Sequence, residues 1–338
     1  MSAEGKYNKN GKLLTVSIAA YNVEAYLTET LESLAVPEIL DELEVLVIDD
    51  GSTDSTGEIA RKYAEKYPGT FHLISKENGG YGSTINRGLT EASGRYFKQL
   101  DGDDSFSEDL ADFIRLLRER SEDLIITRVI RRSEKDGNET VRDYAPDMPE
   151  GSCLFSEADI PDILTMHSVA FRTDFLREKW HPITERCVYT DLEYVTYPLV
   201  RVKTAYIVHR PLYVYRIGVE GQSISAVGIR KHYREHQKVL VHLCCAYRDH
   251  ASDLCGTADS VIRTRLRLET VMHMKYLCML DVTPGHFAEF RRFLHRMGES
   301  FPDILADTAG SSGFARLAVR SKGLMYPLLA ALVRTSSK

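Results

Sequence analysis

The stretch "LLTVSIAAYNVEAYLTETLESL" (13–34) decides the fold, because an apolar run leads directly into a segment with helical spacing. The run "LLTVSIAA" (13–20) predicts a buried strand, and "NVEAYLTETLESL" (22–34) predicts a helix with Asn22 at its head. The same pair recurs at "LEVLVI" (43–48), which precedes the helix-like "STDSTGEIARKYAEKY". Alternating strands and helices with short links predict an α/β fold, in which helices flank a mainly parallel sheet.

Polar clusters follow three of the predicted strands, namely "AAYN", "DDGSTD" and "DGDD". Sites in parallel sheets lie beyond the carboxyl ends of the strands, so we expect these clusters to meet at one edge. The densest cluster holds Asp101, Asp103 and Asp104 directly behind the predicted strand "RYFKQL" (95–100). Three carboxylates this close repel one another, which requires an explanation.

Four interpretations of this carboxylate cluster are open. A solvated turn rich in Asp, Gly and Ser needs no ligand. A calcium loop beginning at Asp101 requires Gly at its sixth position and usually Glu at its twelfth, where Phe106 and Asp112 stand. A phosphatase with an aspartyl nucleophile requires Thr or Val where "DGDDS" ends in Ser. We favour a divalent cation with a diphosphate, because Mg²⁺ takes one or two carboxylates together with phosphates, and Gly102 would let the backbone approach the ligand.

Four segments in order resemble family 2 glycosyltransferases with the GT-A fold: "TVSIAAYNVEAYLTETLESL", "EVLVIDDGSTDSTGEIA", "KENGGYGSTINRGLTEASGRYFKQLDGDD" and "YTDLEYVTYPL". The resemblance extends from about Leu14 to Ser225. It implies the GT-A (nucleotide-diphospho-sugar transferase) fold, a UDP-linked sugar donor, and Mg²⁺ or Mn²⁺. It also implies inverting transfer of one sugar to the hydroxyl of a glycan, lipid-linked sugar or similar acceptor, in the synthesis of cell-surface polysaccharide or glycolipid. Processive synthases of this family carry QxxRW, which does not occur in the sequence, so the non-processive bacterial type is expected.

The resemblance implies roles for single residues. Tyr21 would pack on the nucleobase, and Asp50 would accept a hydrogen bond from it. Asp103 would bind the metal together with Asp101, which would also contact the ribose or the sugar. The implied donor-binding set is Ala19, Tyr21, Asn22, Asp50, Ser52, Asn78, Asn86, Asp101, Gly102, Arg216 and Ser223.

An inverting transfer needs one base to deprotonate the acceptor hydroxyl and, unlike glycoside hydrolysis, no second carboxyl group as acid. In "VYTDLEYVTYPL" the family's usual Glu-Asp pair aligns with Thr190 and Asp191, so the resemblance implies Asp191 as the general base. Thr190 and Glu193 also match a capping box, which is typical of an ordinary helix start. The two interpretations are compatible, because a helix amino terminus favours an ionised Asp191.

The chain departs from the family's pattern at several positions. Arg usually precedes Asn in the third motif, whereas this chain has Ile85, Asn86 and Arg87, so a charge contact to the diphosphate is missing or comes from Arg87. "AAYN" lacks the Pro that usually stands just ahead of it. In "PLYVYRIGVEGQSIS", Arg216 or Ser223 reaches the diphosphate from a flexible loop, or the segment is an edge strand and an ordinary turn.

Beyond about Val227 the pattern changes to long helical segments. We therefore expect a catalytic domain at 1–226 and a helical C-terminal region at 227–338 that binds a membrane or a partner. After Asp307 the sequence has five bases and no acid, and these bases surround "LMYPLLAALV". This pattern fits a basic amphipathic segment on an anionic membrane, or a terminal helix that packs on the protein or in an oligomer.

Composition excludes several other classes of protein. The net charge of -6 provides no cationic field for a nucleic-acid polymer. The six cysteines form no CxxC or CxxH pair, and the first residues lack the apolar core of a signal peptide, so we expect a cytoplasmic protein with reduced thiols, in peripheral contact with the membrane's inner face at most. His167, His181 and His209 are interpreted as structural.

Three other functions are alternatives to a glycosyltransferase. A non-catalytic relative that binds sugar nucleotides or glycans in the same cleft is the main alternative, and retention of both Asp103 and Asp191 argues against it. No GxGxxG follows the first strand, which argues against a dehydrogenase. The Gly-rich Arg signature of sugar-nucleotide pyrophosphorylases is also absent.

Overall fold

The fold is known from a computed structural model, which describes residues 11–218 and 226–336. The chain divides into unit 1, Met1–Val219, and unit 2, Glu220–Lys338. The described strands, all in unit 1, are β1 (Leu14–Ala20), β2 (Leu43–Asp49), β3 (Phe71–Ser75), β4 (Tyr96–Asp101), β5 (Ser105–Phe106), β6 (Leu124–Ser133), β7 (Glu139–Arg142), β8 (Gly151–Leu154), β9 (Val169–Arg172) and β10 (Thr204–Ile217).

Helices accompany the strands of unit 1 in the predicted alternation. They are α1 (Leu27–Glu32), α2 (Thr56–Lys66), α3 (Tyr81–Glu91), α4 (Leu110–Leu117), α5 (Thr173–Glu178) and α6 (Asp191–Leu199), with short 3-10 helices at Pro37–Ile39, Phe155–Glu157 and Met166–Ser168. The predicted α/β class is confirmed.

The ten strands form one sheet in the order β3-β2-β1-β4-β9-β6-β10-β5, with β7 beside β6 and β8 beside β10. Strands β3, β2, β1 and β4 are parallel neighbours, as the strand–helix alternation predicts. The other half of the sheet is mixed, because β9 runs antiparallel to both β4 and β6. The parallel half therefore brings the carboxyl ends of β1, β2 and β4 to one edge.

The middle of the sheet is buried on both faces. β2 is buried at all seven positions, which fits its continuous apolar run. Lys98 lies in β4 with no exposed surface, and its Nζ donates to the carbonyl oxygens of His167 at 2.8 Å and Val169 at 3.0 Å. Burial lowers the pKa of Lys98 to about 7. These bonds tie β4, where the parallel half meets the mixed half, to the start of β9 and to the 3-10 helix that precedes it.

The first helix is shorter than predicted. It begins at Leu27 rather than at Asn22, because Asn22 has a positive φ of 52°. The backbone N–H of Val23 donates to Thr56 Oγ1 at 2.9 Å, and the segment before α1 is thereby tied to α2. Helical spacing in the sequence does not reveal this side-chain competition for the backbone.

The described secondary-structure elements of unit 2 are all helices, as predicted. Its helices are α7 (Ala226–His250), α8 (Gly256–Met279), α9 (Pro284–Ser300), α10 (Pro302–Ser311), α11 (Gly313–Arg320) and α12 (Tyr326–Ser336), with a 3-10 helix at Ala251–Asp253. No helix of the described residues is both long enough and apolar enough to cross a membrane. All six cysteines are free. The predicted domain boundary after residue 226 remains a prediction.

Candidate active site

The carboxyl ends of β1, β2 and β4 meet at one edge of the sheet. In the parallel pairing, Ala19 lies opposite Asp101 and Ala20 lies opposite Asp49. The backbone N–H of Gly102 also donates to the Ala19 carbonyl oxygen at 3.1 Å. The three polar clusters therefore come together as expected from the strand-end rule.

The loops after β1 and β2 are joined by side-chain hydrogen bonds. Asn22 Oδ1 accepts from the backbone N–H of Thr53 at 2.9 Å, and the Asn22 N–H donates to Ser52 Oγ at 3.1 Å. Asn tolerates the left-handed backbone that this arrangement requires. Tyr21 stands beside these bonds with 51% of its surface exposed. An aromatic ring is thus presented to solvent at the site edge, as a stacking role would need.

Asp50 organises the glycine loop that precedes α3. It is buried, and its carboxylate accepts from the backbone N–H groups of Gly79 at 2.9 Å and Gly80 at 2.8 Å. Lys76 Nζ donates to the same carboxylate. Asn78 lies in this loop and is exposed. The contacts give Asp50 a loop-holding role, and its contact with a nucleobase remains a prediction.

Gly102 is needed for packing inside the protein. A Cβ at this position would lie 2.9 Å from the Ala19 carbonyl oxygen and 2.9 Å from Val23 Cγ2. The residue is also buried. The close approach of β4's end to β1 by itself requires this glycine, and the approach of a ligand there remains a prediction.

Two tyrosine hydroxyls hold the carboxylate cluster. Tyr81 donates to Asp101 Oδ1 at 2.6 Å. Tyr213 donates to Asp104 Oδ2 at 2.6 Å and accepts from the backbone N–H of Asp101 at 3.1 Å. Asp104 Oδ1 accepts from the backbone N–H of Arg216 at 2.7 Å. Both oxygens of the buried Asp104 are thus engaged, whereas the protein contact found at Asp101 uses Oδ1.

The chemistry of the donor set fits a divalent cation. Burial raises the pKa of Asp101 to about 7, and the charges of Asp103 and Asp191 act in the same direction. Burial also raises the pKa of Asp103. Within residues 11–218, no hydrogen bond from a side chain to the Asp103 carboxylate is found. Asp101 and Asp103 are thus two partly buried carboxylates that repel each other, and Asp103 accepts no hydrogen bond from a side chain in this range. Carboxylate oxygens of this kind are the hard ligands that Mg²⁺ and Mn²⁺ prefer.

His167 also lies at the cluster, which the sequence did not indicate. One ligand atom each from Asp101, Asp104 and His167 lie within 4.8 Å of one another. The imidazole stacks on the Tyr215 ring at 4.3 Å, and burial lowers its pKa to about 3. A neutral imidazole can bind a metal. Because both Asp104 oxygens already accept hydrogen bonds, we retain Asp103 as the principal candidate ligand.

The segment 183–187, which we call the strap, connects α3 with α6. Asn86 Oδ1 accepts from the backbone N–H of Ile183, and Asn86 Nδ2 donates to the Ile183 carbonyl oxygen, both at 2.9 Å. The Glu193 carboxylate accepts from the N–H of Thr184 at 2.7 Å and from its hydroxyl at 2.9 Å. Asp191 follows as the first residue of α6. The strap therefore fixes the approach of the chain to Asp191.

The predicted capping box at α6 is wrong. Thr190 is the N-cap residue, but its side chain makes no capping hydrogen bond, and its buried Oγ1 has no partner among the described residues. Glu193 is fully buried and bonds to Thr184 instead. The Thr-x-x-Glu spacing predicts a local hydrogen bond, whereas the Glu193 carboxylate binds Thr184 in the strap.

Asn86 and Arg87 are oriented differently from each other. Both amide atoms of Asn86 are bound to the strap, which favours a positioning role over the implied contact with the donor. Arg87 is exposed and pairs with Glu91 one turn away, at 2.8 Å. The structure therefore gives no sign that Arg87 supplies the charge contact usual in the third motif.

Arg216 is committed to contacts within unit 1. Its guanidinium donates to the Asp103 carbonyl oxygen at 2.8 Å and pairs with Glu134 and Glu29, each at 2.8 Å. It also lies 5.2 Å from the centre of the Tyr26 ring. These contacts favour a holding role for Arg216 over a reach toward a diphosphate. Ser223 lies outside the described residues.

Sequence comparison shows which known proteins this chain resembles. Residues 15–180 match the model of the family described as Glycosyl transferase family 2. The chain is 41% identical over 95 residues to the minor teichoic acid biosynthesis protein GgaB of Bacillus subtilis strain 168. The aligned segment covers 28% of this chain and 11% of the relative. It is 31% identical over 132 residues to the putative glycosyltransferase EpsH of the same strain, with 39% and 38% covered. The chain thus spans between about a tenth and two fifths of the length of these curated relatives.

Solved structures show the same fold. Residues 1–349 of Staphylococcus aureus TarS, in complex with UDP-GlcNAc, superpose with a TM-score of 0.65 at 18% identity, over 96% of this chain and 92% of that one. A mannosyltransferase from Pyrobaculum calidifontis, in complex with GDP-Man and Mn²⁺, superposes with a TM-score of 0.56 at 19% identity, over 98% and 89%. The predicted GT-A fold with a helical C-terminal region is confirmed.

Proposed function

Because residues 15–180 of the chain match the model of Glycosyl transferase family 2, we propose that the protein transfers one sugar from a nucleoside-diphosphate donor to an acceptor hydroxyl with inversion. The donor in this proposal is UDP-linked. The name of the relative GgaB, a minor teichoic acid biosynthesis protein, supports a role in making cell-surface polysaccharide or a glycolipid.

One observation carries the proposal: the fold brings three carboxylates from distant parts of the sequence into one electrostatic cluster. Asp101 and Asp103 stand at the end of β4, and Asp191 begins α6. The charges of both Asp103 and Asp191 add to the effect of burial in raising the pKa of Asp101. A turn that only reversed the chain would not require a third carboxylate beside it.

The three carboxylates have separate roles in this proposal. Asp191 accepts the proton of the acceptor hydroxyl as that oxygen attacks the anomeric carbon, and inversion follows from attack on the face opposite the leaving group. Asp101 orients the ribose or the sugar. Tyr81 holds the Asp101 carboxylate, Tyr213 holds the neighbouring Asp104 carboxylate and the Asp101 backbone, and the strap fixes the approach to Asp191. Little reorganisation is therefore needed when the donor binds.

Asp103 and Asp101 are the residues that would hold Mg²⁺ or Mn²⁺. The cation supplies charge neutralisation to the departing diphosphate. Within the protein, the two carboxylates keep their negative charges near each other only if an opposite charge compensates them. The raised pKa values of Asp101 and Asp103 show that, without a cation, the protein disfavours the ionised form of both carboxyl groups.

The donor's base would lie at the loops after β1 and β2. The exposed Tyr21 ring offers a stacking surface, and Asn22 with Ser52 fixes the loop that carries it. Stacking on an aromatic ring together with a few placed polar groups is typical of nucleotide sites.

A ligand panel tests this proposal. Thermal unfolding of the full chain is measured with UDP-sugars and GDP-sugars, each with and without Mn²⁺. We expect a UDP-sugar to raise the unfolding temperature only with Mn²⁺, and Asp103→Asn to abolish that rise. Asp112→Asn is the matched control, because the Asp112 side chain is 46% exposed and pairs with Arg115 and Arg210. No shift with any sugar nucleotide, or a full shift in Asp103→Asn, contradicts the proposal.

A further inference from the structure

Helix α12 in unit 2 is docked by one face. Tyr326, Leu329 and Ala330 are completely buried. The Tyr326 hydroxyl donates to the Leu277 carbonyl oxygen in α8 at 3.0 Å, and its ring lies 5.1 Å from that of Phe290 in α9. This face therefore belongs to the core of unit 2.

The opposite face of the same segment is apolar and exposed. Leu324, Met325, Leu328 and Leu332, which we call the apolar stripe, have exposed fractions of 59%, 36%, 46% and 53%. Leu328 and Leu332 are four residues apart on α12, the spacing that aligns side chains on one side of a helix, and Leu324 and Met325 lie in the turn directly before it. Ten large apolar side chains are exposed among the described residues, and four of them lie in these nine positions. This concentration distinguishes the stripe from apolar residues scattered singly over a surface.

Cations without acidic partners accompany the apolar stripe. Arg316 and Arg320 are exposed one turn apart on α11, and Lys322 is exposed in the turn that leads to Leu324. None of the three forms an ion pair with any described residue. The sequence contains no acid after Asp307. We call Arg316, Arg320 and Lys322 the basic group.

Arg334 does not belong to the basic group. Its guanidinium donates to the carbonyl oxygen of Leu280, at the carboxyl end of α8. Arg291, by contrast, is exposed on α9 beside the turn, where its Nε lies 3.4 Å from the Lys322 carbonyl oxygen. A further positive charge thus flanks the turn before the stripe.

We propose that the apolar stripe and the basic group bind an anionic lipid surface. An apolar face enters the boundary between headgroups and acyl chains, and flanking Lys and Arg are attracted to acidic headgroups. This inference concerns where the protein is held and does not depend on the proposed sugar transfer.

A second copy of the chain fits the surface less well. In a two-fold symmetric contact the same patch meets itself, so each copy contributes its own stripe and its own basic group to the interface. The segment after Asp307 supplies no acid to compensate those charges. Like charges placed together in an interface oppose association. An anionic lipid surface compensates the same charges.

Vesicle co-sedimentation of the full chain tests the inference. Vesicles of phosphatidylcholine alone are compared with vesicles that also contain phosphatidylglycerol. We expect binding only with phosphatidylglycerol, and weaker binding when salt rises from about 0.1 M to about 0.5 M. The double substitution Leu328→Glu with Leu332→Glu should weaken binding at least about tenfold. Arg316→Gln with Arg320→Gln should weaken binding and reduce its salt dependence.

Val141→Glu with Leu154→Glu is the matched control, because both residues are apolar, at least half exposed, and in unit 1. It should bind vesicles as the unaltered chain does. Circular dichroism confirms that every variant keeps its helix content, since all substituted side chains are on the surface. The inference is overturned if the chain does not bind phosphatidylglycerol vesicles, or if the stripe variant binds as well as the control. It is also overturned if sedimentation shows that the stripe variant abolishes self-association while the unaltered chain ignores vesicles.

Discussion

Asn86 binds both backbone groups of Ile183, accepting from its N–H and donating to its carbonyl oxygen, each at 2.9 Å. The two residues are 97 positions apart in the sequence. This pair joins α3, which begins beside the glycine loop held by Asp50, to the strap that leads to Asp191. The Asn86 side chain thereby links the helix beside the proposed donor site to the segment that leads to the proposed base.

Replacing Asn86 by Ala should lower turnover more than it lowers donor affinity. The strap loses two hydrogen bonds, and a displacement of about 1 Å at the base can cost about a hundredfold in rate. Arg87→Ala is the adjacent control, because Arg87 pairs only with an exposed Glu91 in the contacts found, and such pairs contribute at most about 1 kcal/mol. Steady-state kinetics and donor binding are measured for both variants. Equal losses of donor affinity and turnover in Asn86→Ala would argue against a positioning role.

Gly82→Ala should disturb the strap by steric contact. A Cβ on Gly82 would lie 2.2 Å from the Thr184 carbonyl oxygen, so the strap or α3 must shift. We expect lower thermal stability and lower turnover. Gly69→Ala is the control, since a Cβ there meets nothing within 4 Å. If the two variants unfold at the same temperature and turn over equally, the contact between α3 and the strap is not as tight as described.

Tyr213→Phe should destabilise unit 1 by about 1–3 kcal/mol, because the buried Asp104 carboxylate loses its donor at Oδ2. It should also weaken Mn²⁺ binding, since the same hydroxyl accepts from the backbone of Asp101. Tyr215→Phe keeps its ring stacked on His167 and removes a hydroxyl for which no hydrogen bond is found in residues 11–218. Denaturant unfolding and calorimetric titration with Mn²⁺ compare the two. Identical behaviour of both variants would refute the supporting role of Tyr213.

The fold followed from the sequence where periodicity and the strand-end rule apply. Continuous apolar runs identified β1 and β2, and the repeated strand–helix alternation identified β4. The clusters behind these strands met at one edge because parallel neighbours end on the same side. The mixed half of the sheet was not predicted, since β9 has only four residues and its pairing with β4 and β6 is a tertiary contact.

The support of the site was not predictable from local patterns. Tyr213 and Asp104 are 109 positions apart, and nothing near either residue indicates the other. The capping-box spacing of Thr190 and Glu193 pointed to a local bond, whereas burial of Glu193 directs its carboxylate to Thr184. Sequence motifs name residues of the expected type, but the partners of those residues depend on the tertiary fold.

Unit 2 should lose stability as pH falls below about 6.5. Burial holds the pKa of His273 well below that of an exposed imidazole, and the charge of His236 acts in the same direction. Because the pKa of His273 is lower in the folded state than in the unfolded state, between the two pKa values the unfolded chain binds a proton at His273 that the folded chain does not. Stability is therefore full above about pH 6.5 and falls at about 1.4 kcal/mol per pH unit below it.

The groups around His273 define the experiment. Its Nδ1 lies 3.3 Å from that of His236, which also bonds to Glu269 at 3.1 Å, and Arg265 pairs with Glu269 at 3.3 Å. Hydrogen exchange of α7 and α8 amides, corrected for the intrinsic pH dependence, is compared above and below about pH 6.5. His273→Phe should flatten the profile. An unchanged profile in that variant would assign the pH dependence to another group.

The most direct test of the central claim is the activity of Asp191→Asn. With the donor selected by the ligand panel and Mn²⁺ present, release of the nucleoside diphosphate and transfer of the sugar are measured alongside donor affinity. We predict that donor affinity stays within about twofold while turnover falls by about 10²–10⁴-fold, the range expected when a general base is removed. Asp112→Asn should leave both quantities unchanged. Normal turnover in Asp191→Asn, with donor affinity intact, would contradict the assignment of Asp191 as the base.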